Sequence, residues 1–155
     1  MPTAVSEPAA GSTKVYLDAP HVTVRWDAQW EWVIVEWRGS GTTPEFRAAQ
    51  EISLVAIHEN HALRFLSNAR NADQLLGEDR RWLEEHIVPR FAVSGVRWLA
   101  TVVPVDQVAR LSLANVVKTP ASGSLVRAEF RILDDAKVWL AFVGREQQLA
   151  RGLSA

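Results

Sequence analysis

Four histidines are the side chains of this 155-residue chain best suited to metal or acid–base chemistry. His58 and His61 are three residues apart at the end of a predicted helix, near enough to share a metal ion. Zinc needs at least a third protein ligand, and none is indicated, so we predict no metal site and two solvated histidines. Cationic side chains are favourable at a helix C-terminus in any case. His86 is expected to be a packing residue, and His21 has no evident partner.

Neighbouring acids are the second chemical feature of the chain. Glu78 and Asp79, and later Asp134 and Asp135, stand where predicted helices begin, so we interpret them as residues that stabilise helix N-termini. The glycine-rich link at residues 39–41 could offer backbone N–H groups to an anion, although a flexible turn is the commoner role. No nucleophile elbow, phosphate-binding loop or dinucleotide fingerprint is present. We therefore predict a non-enzymatic protein without a cofactor.

The composition restricts the class of protein further. Hydrophobic residues make up 48% and charged residues 23% of the chain, which suits one domain with a sizeable core. A formal net charge of -1 provides no field that attracts nucleic acid. The absence of cysteine excludes disulfides and thiolate metal sites. No apolar segment approaches the ~20 residues that span a bilayer, and no signal-peptide pattern is seen, so we expect a cytoplasmic protein.

The apolar run at residues 96–104 predicts the architecture that positions these side chains. It is rich in β-branched and aromatic residues, and Gly95 precedes it. A strand that is covered on both faces needs no polar alternation. We therefore expect a central strand with helices on both sides, paired in parallel with the strand at residues 62–67.

Four of the seven tryptophans lie in a predicted antiparallel hairpin. Its strands are residues 21–27 and 30–38, and alternation places Trp30 and Trp32 on one face and Trp37 on the other. We expect most of these rings to be structural. The others would serve a partner surface or an apolar pocket, where aromatic residues are enriched.

The first predicted helix begins with Thr43 as the capping residue and Pro44 in the first turn. Its apolar arc includes Phe46, Val55 and Ile57. Leu54 falls among polar residues on an ideal helical wheel. We therefore expect Leu54 to be exposed and assign it to a candidate interface.

The rest of the chain alternates helices and strands. A second helix begins at Gly77, carries Trp82 and His86 on its apolar stripe, and should kink at Pro89, which has no N–H to donate. A short helix at residues 106–111, an edge strand at 125–131 and a terminal helix follow the central strand. The fold class is thus α/β, a mixed five- or six-stranded sheet with about four helices.

We divide the chain into three parts. Residues 1–13 are small, polar and proline-bearing, and are expected to be a disordered lead. Residues 14–143 form a single α/β domain. Residues 144–155 are a polar extension, helical or frayed.

Two stretches carry a family resemblance. Residues 78–82, continuing through Pro89 to residues 95–100, are similar to the "ed-x-x-W … P … G-v-k-x-x-A" pattern of small STAS/SEC14-like proteins. Phe130 followed by residues 134–140 is similar to the "F … eeA-x-x-WL" ending of SpoIIAA-like domains. With the strand order, the match spans roughly residues 14–142. The chain therefore resembles the bacterial STAS/SpoIIAA-like families, which are often described as similar to the Sec14 lipid-binding fold.

The resemblance implies a regulatory or protein-interaction module whose partner is another protein or a second copy. In STAS relatives, the helix after the phosphorylated loop meets the partner, and residues 74–82 match it. The candidate interface is therefore Leu54, Trp37, Gln74 and Trp82. True antagonists carry an Asp-Ser pair in that loop, whereas this chain has Ser67 followed by Asn68, so we predict no phosphorylation switch.

The alternative function is the binding of a small apolar ligand or lipid, as the Sec14-like relatives imply. Such pockets usually measure about 300–1,000 Å³ and carry few polar groups. We expect a pocket of this kind between the sheet and the first helix, lined by some of Trp30, Trp32, Phe46 and Ile57.

Overall fold

A computed structural model describes residues 13–39, 41–73, 75, 77–105 and 125–154, with side chains as far as residue 143. It contains six strands in one sheet: β1 (Thr13–Asp18), β2 (Val22–Asp27), β3 (Trp32–Gly39), β4 (Arg64–Ala72), β5 (Trp98–Val102) and β6 (Val126–Phe130). Three helical units accompany them: α1 (Thr43–Asn60), α2 (Gly77–Trp82) joined through a π-helical segment (Leu83–Ile87) to α3 (Val88–Val93), and α4 (Leu133–Ser154). The predicted α/β class with a mixed sheet is confirmed.

The strands lie in the sheet in the order in which they follow along the chain. β2 pairs antiparallel with both β1 and β3, whereas β3, β4, β5 and β6 are mutually parallel. Leu66 of β4 lies opposite Ala100 of β5. The predicted parallel pairing of these two strands is therefore confirmed, as is the position of β6 at an edge.

Strand β3 shows why helices must cover both faces of the sheet. Its first four residues are all buried, and alternate side chains enter two separate cores. Val33 and Val35 belong to the core on the α1 side, together with residues of β2, β4, α1 and the second helical unit. Trp32 and Ile34 belong to the core on the α4 side, with residues of β4, β5 and α4.

The α1 helix is anchored by a capping box one residue earlier than predicted. Thr42 is the N-cap, its hydroxyl accepts from the backbone N–H of Glu45, and the Glu45 side chain accepts from the backbone N–H of Thr42. This leaves the Thr43 hydroxyl free to act elsewhere. The helix ends at Asn60, and its C-cap, His61, adopts the left-handed conformation with φ 50°.

The predicted exposure of Leu54 is wrong. Leu54 is only 8% exposed and belongs to the α1-side core, whereas Val55, which the helical wheel placed on the apolar arc, is 51% exposed. The reason is that one side of α1 faces the second helical unit, as the ion pair from Arg90 to Glu51 shows. Leu54 lies three residues from Glu51 and is therefore on that covered side.

The second helical unit loosens as Pro89 predicts. The N–H of Val88 bonds to the carbonyl of Leu83, five residues back, so the turn before the proline is a π-bulge. Pro89 then occupies the first turn of α3, where a missing N–H costs nothing. His86 was expected on the apolar stripe, but its side chain is 60% exposed.

Several boundaries differ from those predicted. Strand β1 was not expected, and Thr13 belongs to it. Strand β4 continues to Ala72, beyond the predicted strand at residues 62–67. Helix α4 runs to Ser154, so the polar extension from residue 144 is helical to that point, which is one of the two forms expected for it. Residues 1–12 and the predicted helix at 106–111 lie outside the described residues. In the described part of the chain, no helix is both long and apolar enough to cross a membrane.

The neighbours Leu54 and Val55 test the placement of α1. We expect Leu54→Ala to lower the free energy of unfolding by about 2–5 kcal/mol, because it removes a buried side chain and leaves a cavity. Val55→Ala, on the exposed side, should change it by less than about 0.5 kcal/mol. Urea unfolding of both variants measures the difference. Equal losses, or a larger loss for Val55→Ala, would contradict the described packing.

Candidate interaction site

Four rings form a row beside the carboxyl end of β3. Trp37 and Phe46 have ring centroids 5.6 Å apart, Phe46 and Trp82 are 6.3 Å apart in an edge-to-face arrangement, and Trp82 and His86 are 6.3 Å apart. We call Trp37, Phe46, Trp82 and His86 the aromatic row. The first three rings are partly buried and pack on the α1-side core, and His86 is exposed at the end. The row therefore has one side on the core and another open to solvent.

Three elements bring the aromatic row together. Trp37 is at the end of β3, where alternation directs it to the α1 side with Val33 and Val35. Phe46 is in the first turns of α1, directly after the capping box. Trp82 ends α2. Because β3 and β4 are parallel, the helices that follow them begin at the same edge of the sheet, and this edge is the usual location of sites in α/β folds.

A buried carboxylate ties α1 to α2 next to the row. Asp79 is 4% exposed, and its side chain accepts from the Thr43 hydroxyl at 3.0 Å and from Nε of Arg47 at 3.4 Å. The Arg47 guanidinium also lies over the Trp82 ring, 5.1 Å from its centroid. A buried charge needs such partners. Asp79 and Arg47 therefore hold Trp82 in place while Arg47 keeps part of its side chain in solvent.

The glycines before α1 have a structural role. Gly39 has φ +71°, which favours glycine. A Cβ at residue 41 would lie 2.6 Å from Cδ2 of His21, so only glycine fits against that ring. Nδ1 of His21 is 3.8 Å from a Glu45 oxygen, and its Nε2 is buried with no hydrogen-bond partner among the described residues. The close approach of Gly41 to the His21 ring thus packs the start of α1 against His21.

A second polar cluster lies on the α4 side of the sheet. The guanidinium of Arg25 on β2 pairs with the carboxylate of Glu36 on β3, and Asn68 on β4 is opposite Glu36. Burial raises the pKa of Glu36, but hydrogen bonds from Arg25 and Asn68 and the charges of Arg25 and Lys137 outweigh it. The net pKa therefore lies below the ordinary value of 4.5. These residues are explained by pairing within the sheet, and they do not converge with the aromatic row.

The residues proposed for an apolar pocket do not share one space. Trp30 and Trp32 stack with centroids 5.5 Å apart on the α4 side of the sheet. Phe46 and Ile57 lie on the opposite, α1 side. A pocket between the sheet and α1 lined by members of both pairs is therefore wrong. The cause is strand alternation. Trp32 and Trp37 are five residues apart on β3, so their side chains lie on opposite faces of the sheet, and only Trp37 is on the α1 side.

Of the four residues proposed for the interface, two lie together on the surface. Trp37 and Trp82 meet in the aromatic row with Phe46 between them. Leu54 is buried, and Gln74 lies outside the described residues. Two interface candidates and one pocket candidate thus form one surface feature.

The histidines at the end of α1 are both exposed: His58 lies in the last turn and His61 is the C-cap. Among the described residues, no group of three His, Asp or Glu side chains could hold a metal ion. Ser67 and Asn68 lie within β4.

Sequence reasoning missed the contact between Arg47 and Asp79. Asp79 lies in the first turn of α2 as predicted, but its side chain is also buried and paired with Arg47. The available signal was that Arg47, Glu51 and Leu54 share one side of the helix at spacings of four and three. An apolar residue in line with charged ones indicates a side of the helix that faces another element.

Comparisons with protein-family models, with curated proteins and with solved structures found no match.

The buried carboxylate of Asp79 contributes to stability through its two partners. We expect Asp79→Asn to lower the free energy of unfolding by about 1–3 kcal/mol, because one acceptor oxygen of the buried side chain becomes an NH₂ donor facing the Thr43 hydroxyl or the Arg47 guanidinium. Glu78→Gln, on the adjacent exposed residue, should cost less than about 1 kcal/mol, since it loses only an interaction with the helix dipole. Chemical denaturation measures both, and near-ultraviolet circular dichroism reports the Trp82 environment. Similar values for the two variants would contradict the role given to Asp79.

The lowered pKa of Glu36 predicts an acid-dependent loss of stability. A carboxylate whose folded-state pKa lies below its unfolded value stabilises the fold above that unfolded value, and the contribution is lost as the pH falls through the folded pKa. The urea midpoint should therefore drop on acidification below about pH 4.5. Glu36→Gln should show a smaller drop than the parent protein. An identical pH dependence would show that Glu36 is not stabilised by Arg25 and Asn68.

Proposed function

We propose that this protein is a non-enzymatic interaction module of the STAS type and that the aromatic row is its partner-binding surface. The observation that carries the proposal is the series of ring contacts from Trp37 through Phe46 to Trp82, partly exposed and flanked by Arg47. Tryptophan and arginine dominate the binding energy of protein interfaces, and they do so where packed neighbours hold them rigid. The finer assignment to the STAS/SpoIIAA-like families rests on the sequence resemblance.

The position of the row supports an interaction role. Trp82 ends the segment that matches the partner-contacting helix of STAS relatives. Asp79 and Arg47 fix this ring before any partner arrives, which reduces the entropy lost on binding. The partly exposed side chain of Arg47 and the exposed ring of His86 add polar groups beside the rings. This combination of rigid rings and adjacent polar groups suits a protein surface.

The alternative, the binding of a small apolar ligand, has less support. Ala49, Ala56 and Ile57 of α1 are entirely buried, so this helix lies closely against its neighbours. The tryptophans that suggested a pocket there lie on the other side of the sheet. No observation in the described part of the chain favours a ligand over a protein partner.

Site-specific photo-crosslinking in the native cell tests the proposal. A benzophenone side chain at the exposed position Arg81, next to Trp82, should form a crosslink to one discrete partner, whereas the same group at the exposed position Asp18 should not. Trp82→Leu should abolish the Arg81 crosslink. Trp139→Leu, the same change at a partly buried tryptophan on the α4 side, should leave it intact.

Circular dichroism of each purified variant shows whether it is folded. Mass spectrometry of the crosslinked band distinguishes another protein from a second copy of this chain. The same crosslinks from positions 81 and 18, or an Arg81 crosslink that survives Trp82→Leu, would contradict the assignment of the aromatic row.

A further inference from the structure

Among the described residues, no strand pairs with the outer edge of β6. In the described part of the sheet, β6 pairs only with β5, and its edge faces away from the other strands. The N–H of Val126 donates to the Arg97 carbonyl, and the Phe130 carbonyl accepts from the N–H of Val103. Backbone groups alternate in direction along a strand, so the N–H and C=O groups of Arg127 and Glu129 point outward.

The two edges of the sheet differ in their protection. The other edge strand, β1, carries Lys14 and a register shift between Val15 and Leu17, and both features discourage pairing with another strand. Strand β6 keeps a regular register over its five residues and contains neither lysine nor proline. It therefore lacks both of the features that discourage pairing at β1.

The sequence of β6, Val-Arg-Ala-Glu-Phe, is complementary to itself when read in the opposite direction. With two copies antiparallel and centred on Ala128, Arg127 lies opposite Glu129 of the second copy, twice. Val126 lies opposite Phe130, also twice. Opposite charges and apolar pairs directly across a sheet are both stabilising.

We propose that the protein forms a homodimer in which the β6 strands of two copies pair antiparallel about a two-fold axis at Ala128. The outward backbone groups of Arg127 and Glu129 meet in this register, so each Arg127–Glu129 pair exchanges two backbone hydrogen bonds. Each copy contributes its six strands, so the two sheets become one continuous sheet of twelve strands. The contact is isologous, and it therefore closes at two copies.

The charges select this register over its neighbours. A shift that centres the axis on Arg127 places the two Arg127 side chains opposite each other. A shift that centres it on Glu129 places the two carboxylates together and sets Arg127 against Arg131. A register whose axis lies midway between two residues sets outward backbone groups of one strand opposite inward groups of the other, and no backbone hydrogen bonds form. Of the registers centred on residues 127, 128 and 129, only the one centred on Ala128 sets opposite charges across from each other while the backbone hydrogen bonds form.

Helix α4 lies next to the proposed seam. The Trp139 ring of α4 packs on the Phe130 ring of β6, with their centroids 5.7 Å apart. The two-fold axis is perpendicular to the sheet, so both α4 helices flank the seam on the same face.

The dimer is independent of the function proposed for the aromatic row. The row lies on the α1 side at β3, α1 and α2, whereas the seam lies at β6 and α4. Failure of one proposal leaves the other intact.

Sedimentation equilibrium of the full chain between about 1 µM and 300 µM tests the dimer through a charge exchange. The parent protein should approach a mass of twice 17.3 kDa. Glu129→Arg, and separately Arg127→Glu, should weaken dimerisation about tenfold or more, because each sets like charges opposite each other twice. The double variant Arg127→Glu/Glu129→Arg restores opposite charges and should return the dissociation constant to within about threefold of the parent value.

Circular dichroism confirms that each variant is folded, and Glu78→Gln on α2 is a control that should leave the dissociation constant unchanged. Weakening by both single variants with recovery in the double variant supports the proposed seam. A monomeric parent protein at every concentration would overturn it. A dimer that Glu129→Arg does not weaken, or single variants that the double variant does not rescue, would overturn it as well.

Discussion

Burial of β3 on both faces is the constraint on which the rest of the structure depends. Residues Trp32 and Ile34 enter one core and Val33 and Val35 enter the other, so neither face of the parallel strands tolerates water. Parallel strands also need crossover connections, which supply the covering helices. Because successive crossovers in one direction have the same hand, α1 and the second helical unit share one face, and α4 is left to cover the other.

This arrangement explains where the candidate site lies. Two helices that share a face and follow neighbouring parallel strands begin at the same edge and contact each other along their sides. The side of α1 that carries Arg47, Glu51 and Leu54 is used for that contact. Asp79 and Trp82 then meet Arg47, and the aromatic row follows from the packing of two helices as much as from the sheet. The same packing makes the row rigid, which is the property that a recognition surface requires.

The sequence predicts the sheet better than it predicts the helix surfaces. The apolar run at residues 96–104 and the alternation around Trp32 correctly indicate a parallel centre and two separate faces. An ideal helical wheel considers one covered side only, so it misplaces Leu54 on a helix that is covered on two. Strand β1 escaped detection because its register shift at Val15 breaks the alternation, and pairing with β2 and a hydrogen bond from Tyr16 to Glu59 hold it in place. Such contacts between distant residues leave no local pattern.

The central claim is that a partner covers the aromatic row in the cell. Hydroxyl-radical footprinting compares the oxidation of individual tryptophans in intact cells with that in the purified protein. Trp30, partly buried on the α4 side, is the internal reference. The account predicts that Trp82 and Trp37 are oxidised several-fold less in cells, while Trp30 reacts equally in both settings. Equal oxidation of Trp82 in cells and in the purified protein, after correction by Trp30, would contradict it.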